Sequence, residues 1–286
     1  MSRVAYVNGR YLPHRQAKVH VEDRGYQFAD GVYEVCEVRD GHLVDERRHI
    51  ERLARSLHEL RMQMPLVPAA LGIVMRETLR RNRVRDGLVY LQVTRGVARR
   101  DHGFPPAGTR PSVVMTARSI DRHKADRLAE TGIKVVSVPE NRWPRVDIKS
   151  VALLPNVLAR QAAVDRGAKE AWFVDANGFI TEGASSNAWI VTADDVIVTR
   201  AANAGILKGI TRAVTLELAG GRDCRVEERA FTLEEALAAR EAFQTSATLT
   251  VMPVVEIDGK KIGDGRPGPV SRALRAGFHK AAEIAP

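Results

Sequence analysis

Short turn sequences between apolar stretches constrain the fold of this chain more than any other feature. Asn8-Gly9 lies between Val4–Val7 and Arg10–Leu12, and Asp40-Gly41 follows the predicted strand Gly31–Val38. Asn-Gly and Asp-Gly suit two-residue hairpin turns, in which both central positions take a positive φ. The sequence therefore predicts antiparallel strands joined directly by tight turns.

Helices are predicted among these strands, without the regular strand–helix alternation of a parallel sheet. Apolar residues recur every three or four positions from Glu46 to Pro65 and again over 68–81. Further helices are predicted over 154–165, after Gly209, near 232–239 and after Pro269. This pattern predicts an α+β fold in which each domain is a mixed sheet or barrel with flanking helices. We expect a smaller domain over 1–118, a polar linker over 119–125 and a larger domain over 126–286.

Composition narrows the class of protein. The chain has 286 residues and no apolar run of the roughly 18–20 residues that a membrane span needs. Its beginning has no signal-peptide pattern, and we expect Cys36 and Cys224 to be buried thiols in a reducing cytoplasm. The net charge of +9 leaves nucleic-acid binding as a distant alternative, but no nucleic-acid motif accompanies the arginines, and solvated helix faces explain them better.

One lysine is a candidate nucleophile. Asp147-Ile148-Lys149-Ser150 is followed by the apolar stretch Val151–Leu154. Apolar surroundings favour the neutral amine, which is the nucleophilic form. Taken alone, a lysine in such a segment is more often an ordinary surface ammonium.

Two later segments supply complementary chemistry. Thr181–Asn187 combines the carboxylate of Glu182 with small and hydroxyl residues after a predicted strand. Gly205–Arg212 is a glycine-punctuated loop that opens a helix, where free N–H groups and the helix dipole favour an anion. Each segment alone could be a plain turn. Together with Lys149, they match the needs of pyridoxal phosphate, which are a Schiff-base lysine, a carboxylate for the ring nitrogen and a phosphate cradle.

The order of these segments resembles the fold-type IV pyridoxal-phosphate aminotransferases over nearly the whole chain, and within them the subgroup that acts on D-amino acids. The matching segments are Asp23–Val35, His49–Leu53, Gln92–Gly96, Arg100–Pro105, Asp147–Ser150, Thr181–Asn187 and Leu207–Arg212. The resemblance implies a two-domain architecture, bound pyridoxal 5'-phosphate, no metal ion and a homodimer whose subunits share their active sites.

The resemblance also assigns roles to single residues. Lys149 is expected to form the Schiff base and move the substrate proton, and Glu182 to pair with the pyridine nitrogen. Leu207 is expected to pack on the face of the cofactor ring. Ser185 is expected to lie near the ring and limit its movement. The remaining cofactor contacts are assigned to the phosphate, through Arg52, Ile210, Thr211, Ala247 and Thr248.

Tyr33, with Arg100 and His102 of the neighbouring subunit, is expected to hold the substrate carboxylate. The resemblance implies ping-pong transamination between a D-amino acid (D-alanine or D-glutamate) and a 2-oxo acid (2-oxoglutarate or pyruvate). Branched-chain L-amino acids and (R)-amines are the alternative substrates within the same fold.

Three positions depart from the family pattern. Ala247 stands where a threonine hydroxyl often contacts the phosphate, so that contact is expected to be lost or reduced to the backbone. Arg99 places a second cation beside Arg100, and Gly103 replaces a bulkier polar residue in the same loop.

Overall fold

The computed structural model describes residues 3–203, 205–221 and 225–284, which form two compact units. Unit 1 comprises Met1–Arg122, Ile148–Ala152 and Glu283–Pro286. Unit 2 comprises His123–Asp147 and Leu153–Ala282. The described part of each unit contains a β-sheet and helices, so the predicted α+β class is confirmed.

An antiparallel six-stranded sheet forms the centre of unit 1, in the order β2-β1-β6-β5-β3-β4. Its strands are β1 (Val4–Val7), β2 (Arg10–Pro13), β3 (Gly31–Arg39), β4 (His42–Leu43), β5 (Gly87–Thr94) and β6 (Ser112–Ser119). Its helices are α1 (Arg24–Phe28), α2 (Glu46–Glu59) and α3 (Pro68–Asn82). The predicted first turn is confirmed, because Asn8 and Gly9 have φ angles of 47° and 91° and Val7 pairs with Arg10.

Helices α2 and α3 bury their apolar sides in the core of unit 1. Leu53, Leu57, Leu71 and Met75 are almost completely buried, in one cluster with the inward side chains of β3, β5 and β6. The arginines on the outer sides of these helices form ion pairs. Glu77, for example, accepts from both Arg80 and Arg81 one helical turn away.

Unit 2 contains a ten-stranded mixed sheet. Its strands are β7 (Ile133–Pro139), β8 (Glu170–Val174), β9 (Phe179–Gly183), β10 (Asn187–Val191), β11 (Ile197–Thr199), β12 (Val226–Glu228), β13 (Phe231–Thr232), β14 (Glu241–Ser246), β15 (Thr250–Ile257) and β16 (Lys260–Lys261). The order is β12-β11-β10-β14-β15-β7-β8-β9-β13, with β16 paired to β15. Its helices are α4 (Arg122–Thr131), α5 (Leu154–Asp165), α6 (Ile210–Gly220), α7 (Leu233–Ala238) and α8 (Pro269–Ala281).

Large aromatic side chains fill the middle of the unit 2 sheet. The rings of Trp189 on β10 and Phe243 on β14 are stacked at 5.3 Å, and both side chains are fully buried. Helix α7 begins at a capping box in which Thr232 and Glu235 each bond to the other's backbone N–H. These contacts hold in place the strands that carry the predicted site residues of unit 2.

The segment Ile148–Ala152 belongs to unit 1, although its sequence neighbours belong to unit 2. It pairs with the start of β3 through a bridge between Val32 and Ser150 and a bond of 3.0 Å from the N–H of Val151 to the carbonyl of Gly31. The predicted ranges of 1–118 and 126–286 place this segment in the C-terminal domain. The structure groups it with the N-terminal sheet because its backbone partners lie there. The domain ranges themselves stay a prediction.

Other expectations from the sequence concern the predicted linker, the two cysteines and membrane-spanning segments. Helix α4 starts at Arg122, inside the range predicted to be a polar linker. Cys36 is a buried thiol, as expected, and Cys224 lies outside the described residues. Within the described ranges, no helix combines the length and apolarity required to cross a membrane.

Candidate active site

Lys149 is fixed in unit 1 by its backbone. Its carbonyl accepts from the N–H of Tyr33 at 3.0 Å, and its own N–H donates to Ser56 Oγ on α2 at 3.4 Å. The side chain reaches over β3, and Nζ lies 4.3 Å from the centroid of the Tyr33 ring. Lys149 and Tyr33, which the sequence predicted as site residues, are therefore neighbours.

Tyr33 is supported by a second tyrosine that the sequence did not single out. Tyr90 on β5 stacks on Tyr33 with ring centroids 5.7 Å apart, and its hydroxyl donates to Gln92 at 2.7 Å. Burial raises the pKa of Tyr90 to about 12, so its hydroxyl stays protonated at neutral pH. This tyrosine pair fixes the ring that faces Lys149.

Arg52 belongs to a buried charge cluster behind β3. Its guanidinium donates to Glu34 through Nε at 2.8 Å and through Nη2 at 2.7 Å. His49 completes the cluster with an Nδ1–Glu34 Oε2 distance of 2.7 Å. Desolvation opposes ionisation of Glu34, but Arg52 and His49 outweigh it and lower its pKa to about 2. Glu34 therefore takes two of the five guanidinium donors and holds Arg52 in one orientation.

Arg100 and His102 lie on the long loop between β5 and β6, and both are exposed. The Arg100 guanidinium lies 5.1 Å from the centroid of the Phe28 ring, and the His102 ring lies 5.4 Å from it. Phe28 thus brings these two predicted substrate residues together at the end of α1. Arg24 also contacts Phe28, and it donates to the carbonyl of Asp101 at 2.6 Å.

The rest of this loop is anchored on unit 1. The Phe104 ring lies 4.0 Å from the Arg95 guanidinium, and Arg95 is held by Asp30 at 2.7 Å. Gly103 donates its N–H to Asp101 Oδ1 at 3.1 Å, so a local turn forms at one position where the sequence departs from the family. Arg99 is exposed beside Arg100.

Glu182 is the penultimate residue of β9 in unit 2 and is only 4% exposed. Its Oε1 accepts from Arg142 at 2.6 Å, and its Oε2 accepts from the side chain of Asn187 at 2.9 Å and the N–H of Leu207 at 3.1 Å. Desolvation raises the pKa of Glu182, and Arg142 is the strongest of the groups that oppose this rise. Three donors therefore fix a carboxylate that burial pushes toward its neutral form.

Leu207 leads from this carboxylate to helix α6. Its carbonyl accepts from the Asn187 side chain at 2.9 Å, and the helix begins after Gly209. Ile210 and Thr211 are buried in the first turn, where backbone N–H groups have no partner within the helix. The structure thus places the two predicted phosphate-binding N–H groups at a helix N-terminus, close to the Leu207–Glu182 contact.

Ser185, Ala247 and Thr248 lie at other turns of unit 2. Ser185 donates to the buried carboxylate of Glu170 at 2.6 Å, which anchors the turn after Glu182. Ala247 and Thr248 lie between β14 and β15, where the hydroxyls of Thr248 and Ser246 are 3.3 Å apart. Ala247 is half-buried and has no hydroxyl of its own.

Sequence reasoning missed several residues that support the candidate site. They have in common that their role depends on a contact distant in sequence, and they are Glu34, His49, Tyr90, Arg142, Glu170 and Asn187. Glu34, His49 and Asn187 lie inside segments that resemble the family, which is the signal that could have identified them. Arg142 follows β7 in a short stretch between Pro139 and Pro144, and nothing in its local pattern indicates its partner.

Known proteins resemble the chain along most of its length. Residues 31–257 match the sequence profile of the family described as amino-transferase class IV. The D-alanine aminotransferase of Staphylococcus haemolyticus is 42% identical over 279 residues, which cover 97% of each chain. That of Bacillus licheniformis is 40% identical over 274 residues, which cover 96% of this chain and 95% of the relative.

Solved structures agree on the fold. The branched-chain amino acid aminotransferase of Escherichia coli superposes with a TM-score of 0.88 at 25% identity, covering 98% of this chain and 94% of that one. A hypothetical aminotransferase from Mycobacterium tuberculosis, solved in its PLP-bound form, gives a TM-score of 0.84 at 20% identity, covering 97% of this chain and 98% of that one. The resemblance found in the sequence is therefore confirmed, and the chain belongs to the class IV aminotransferases.

Proposed function

We propose that this aminotransferase moves amino groups between D-amino acids and 2-oxo acids, with D-alanine or D-glutamate as donor and 2-oxoglutarate or pyruvate as acceptor. The observation that carries the proposal is the identity of 42%, over almost the full length, with an enzyme named D-alanine aminotransferase. In the net reaction, the donor exchanges its amino group and α-hydrogen for the carbonyl oxygen of the acceptor. The donor carbon is thereby oxidised by two electrons and the acceptor carbon is reduced by two.

The residues of unit 2 fit the ring of pyridoxal phosphate. Glu182, Glu140 and Arg142 form one hydrogen-bonded cluster that holds two carboxylates and one guanidinium. Its formal charge is −1 when both glutamates are ionised, and a protonated pyridine nitrogen would neutralise it. Glu182 Oε1 accepts one hydrogen bond from Arg142, and each carboxylate oxygen has two acceptor positions. The cluster therefore has both the negative charge and the hydrogen-bond acceptor that a protonated pyridine nitrogen requires.

The phosphate is assigned to the first turn of α6 and to Arg52. The N–H groups of Ile210 and Thr211 are typical anion donors. Arg52, oriented by Glu34, supplies a guanidinium, and Thr248 supplies a hydroxyl beside Ala247. Leu207 packs on the ring, and Ser185 limits its movement. Pyridoxal phosphate supplies the electron-withdrawing ring that makes the α-hydrogen of a bound amino acid acidic.

The remaining residues bind the substrate and move its proton. We assign to Lys149 the covalent attachment of the cofactor and the removal of the α-hydrogen through Nζ. Tyr33 binds the substrate carboxylate with Arg100 and His102 of a second subunit, which gives a homodimer with shared sites. An arginine fork suits a carboxylate. Because the carboxylate is held on one side, only one orientation of the α-hydrogen faces Lys149, so one enantiomer is selected. The similarity to enzymes named D-alanine aminotransferase assigns it as the D-enantiomer.

Two experiments test the proposal. The first assays D- and L-alanine, D- and L-glutamate, L-leucine and (R)-1-phenylethylamine as donors with 2-oxoglutarate. Turnover should be fastest with the D-amino acids. A preference for L-leucine would favour branched-chain transamination, the second candidate, to which the solved relative from Escherichia coli belongs by name. A preference for the amine would mean that the carboxylate residues are not used.

The second experiment concerns attachment and assembly. Borohydride should fix the cofactor to wild-type protein and to the control variant Lys169→Ala, but not to Lys149→Ala. Mixed dimers of Lys149→Ala and Arg100→Ala subunits should regain activity at low D-alanine, because one of the two sites then has both residues. Mixtures as inactive as the separate variants would place Arg100 in the site of its own subunit. The cytoplasm is proposed as the location, in keeping with the buried free thiol of Cys36.

A further inference from the structure

Arg142 has no role among the residues that the sequence assigned to the site. We propose that it is a positioning residue, which keeps the proton on the pyridine nitrogen by holding Glu182 ionised and oriented. This inference rests on the proposed function, because it concerns the residue assigned to that nitrogen. Arg142 would join the residues assigned to the site, but it would act on the cofactor only through Glu182.

The guanidinium of Arg142 is held along two edges and one face. Nη1 donates to Glu182 Oε1 at 2.6 Å. Nε and Nη2 form a fork on the carboxylate of Glu140, at 2.9 Å and 2.6 Å, and the Phe173 ring lies 4.3 Å below. The side chains of Arg142 and Glu182 are each only 6% exposed. A guanidinium fixed in this way cannot leave Glu182 by a simple rotation.

The proton between Glu182 and a ring nitrogen has two possible positions. It lies on the nitrogen when the carboxylate is the weaker base, and on the carboxylate when burial has made that group the stronger base. Desolvation raises the pKa of Glu182, and Arg142 is the strongest opposing group. Without Arg142, the proton should therefore move from the ring toward Glu182, and the ring would lose electron-withdrawing power.

Glu140 explains why one arginine can serve this purpose without cancelling the attraction for the ring. A lone Arg142–Glu182 pair would be neutral, and a protonated ring nitrogen would meet no net charge. The carboxylate of Glu140 adds one negative charge, and its pKa is lowered because Arg142 and Thr181 donate to it, against the effect of desolvation. The cluster thus retains the charge that a pyridinium needs, while Glu182 itself stays ionised.

The test measures the protonation of the ring directly. Wild-type, Arg142→Met and Arg142→Lys holoenzymes are loaded with pyridoxal phosphate labelled with ¹⁵N at the ring nitrogen, and the ¹⁵N chemical shift is recorded. We expect a pyridinium shift in wild type and in Arg142→Lys, and a displacement toward neutral pyridine in Arg142→Met. The half-reaction of Arg142→Met with D-alanine should slow about 10- to 100-fold, the size expected for one charge-assisted hydrogen bond.

A matched control is Arg229→Met, because Arg229 also lies between two glutamates, Glu227 and Glu235, at 3.2 Å and 2.9 Å. This variant should keep the wild-type ¹⁵N shift. If Arg142→Met does not fold, Arg142→Gln removes the charge with a polar side chain and allows the same comparison. A wild-type shift in these neutral variants would overturn the inference alone, whereas wild-type protein that takes up no cofactor would overturn the proposed function with it.

Discussion

Arg52 and Glu34 form a two-bonded ion pair at 2.8 Å and 2.7 Å, buried between β3 and α2. The pair joins a residue assigned to the cofactor phosphate to a carboxylate that faces the core. His49 shares the same carboxylate, so Glu34 orients both the Arg52 guanidinium and the His49 ring. A buried charge that keeps its partner is tolerated, and one that loses its partner is strongly destabilising.

This cluster predicts a specific loss of stability in acid. Burial is the main cause that lowers the pKa of His49 below its usual 6.5, and the pKa of Glu34 is about 2. In both cases the unfolded chain binds more protons than the folded chain. The stabilisation from His49 should therefore be lost as pH falls below about 6.5, and that from Glu34 below about 4.3, the ordinary value of a glutamate.

His49→Asn isolates the upper part of this pH range, because asparagine can still donate to Glu34 but does not titrate. Between pH 7.5 and 5 its urea unfolding midpoint should fall less steeply than that of wild type. His58→Asn, at an exposed position on the same helix, is the control and should follow wild type. Equal slopes for wild type and His49→Asn would contradict the lowered pKa of His49.

Gly209→Ala should weaken cofactor binding, although Gly209 is not itself assigned to the cofactor. A Cβ at Gly209 would collide with Asn187 Oδ1, and the Asn187 amide holds Glu182 and Leu207. We expect a loss of about 1–3 kcal/mol in stability and a higher Kd for pyridoxal phosphate, measured by titrating the apoprotein. Gly220→Ala in the same helix has open space around it and should stabilise by about 0.4–1 kcal/mol. Identical effects of the two substitutions would contradict the prediction.

Ala247→Thr should strengthen cofactor binding. In the proposed site, a hydroxyl at this half-buried turn would supply the phosphate contact that the family resemblance leads us to expect, and one new hydrogen bond is worth about 2- to 10-fold in Kd. Fluorescence titration of apoprotein with pyridoxal phosphate measures the change. Ala247→Val has the same shape without the hydroxyl and should give no gain, so equal affinities of the Thr and Val variants would remove position 247 from the phosphate site.

Arg100→Ala should raise KM for D-alanine at least tenfold, as expected for the loss of a charged hydrogen-bond partner. It should leave KM for (R)-1-phenylethylamine nearly unchanged, because that donor has no carboxylate. Arg99→Ala, at the adjacent exposed position, is the matched comparison. A larger effect at Arg99 would shift the carboxylate contact by one residue, and equal effects on the two donors would exclude Arg100 from it.

The sequence predicted what depends on neighbouring residues and missed what depends on distant ones. The Asn8-Gly9 turn could be predicted because two consecutive residues determine it. The contact between Lys149 and Tyr33 could not be derived from spacing, since 116 positions separate the two residues. The family resemblance predicted both as site residues, and the structure shows that Lys149 lies over the ring of Tyr33.

The supporting residues illustrate the same limit. Arg142 is one arginine among many, and only the folded chain shows that its partners are Glu140 and Glu182. Helix α4 was missed because it is polar and buries a single alanine, Ala129, so few apolar residues mark it in the sequence. Roles that follow from motif order could be predicted, whereas charge partners had to be seen in three dimensions.

The last part of unit 1 has a consequence for biosynthesis. The carbonyl of Glu283 accepts from the N–H of Asp45 at 2.7 Å, the N–H of Glu283 donates to Asp45 Oδ1 at 3.0 Å, and Ile284 bridges to Val44. Unit 1 therefore gains these contacts only after the ribosome has made residues 283 and 284. A nascent chain must hold residues 44 and 45 without these partners until then, and a premature stop codon shortly before Glu283 would deprive them of the contacts.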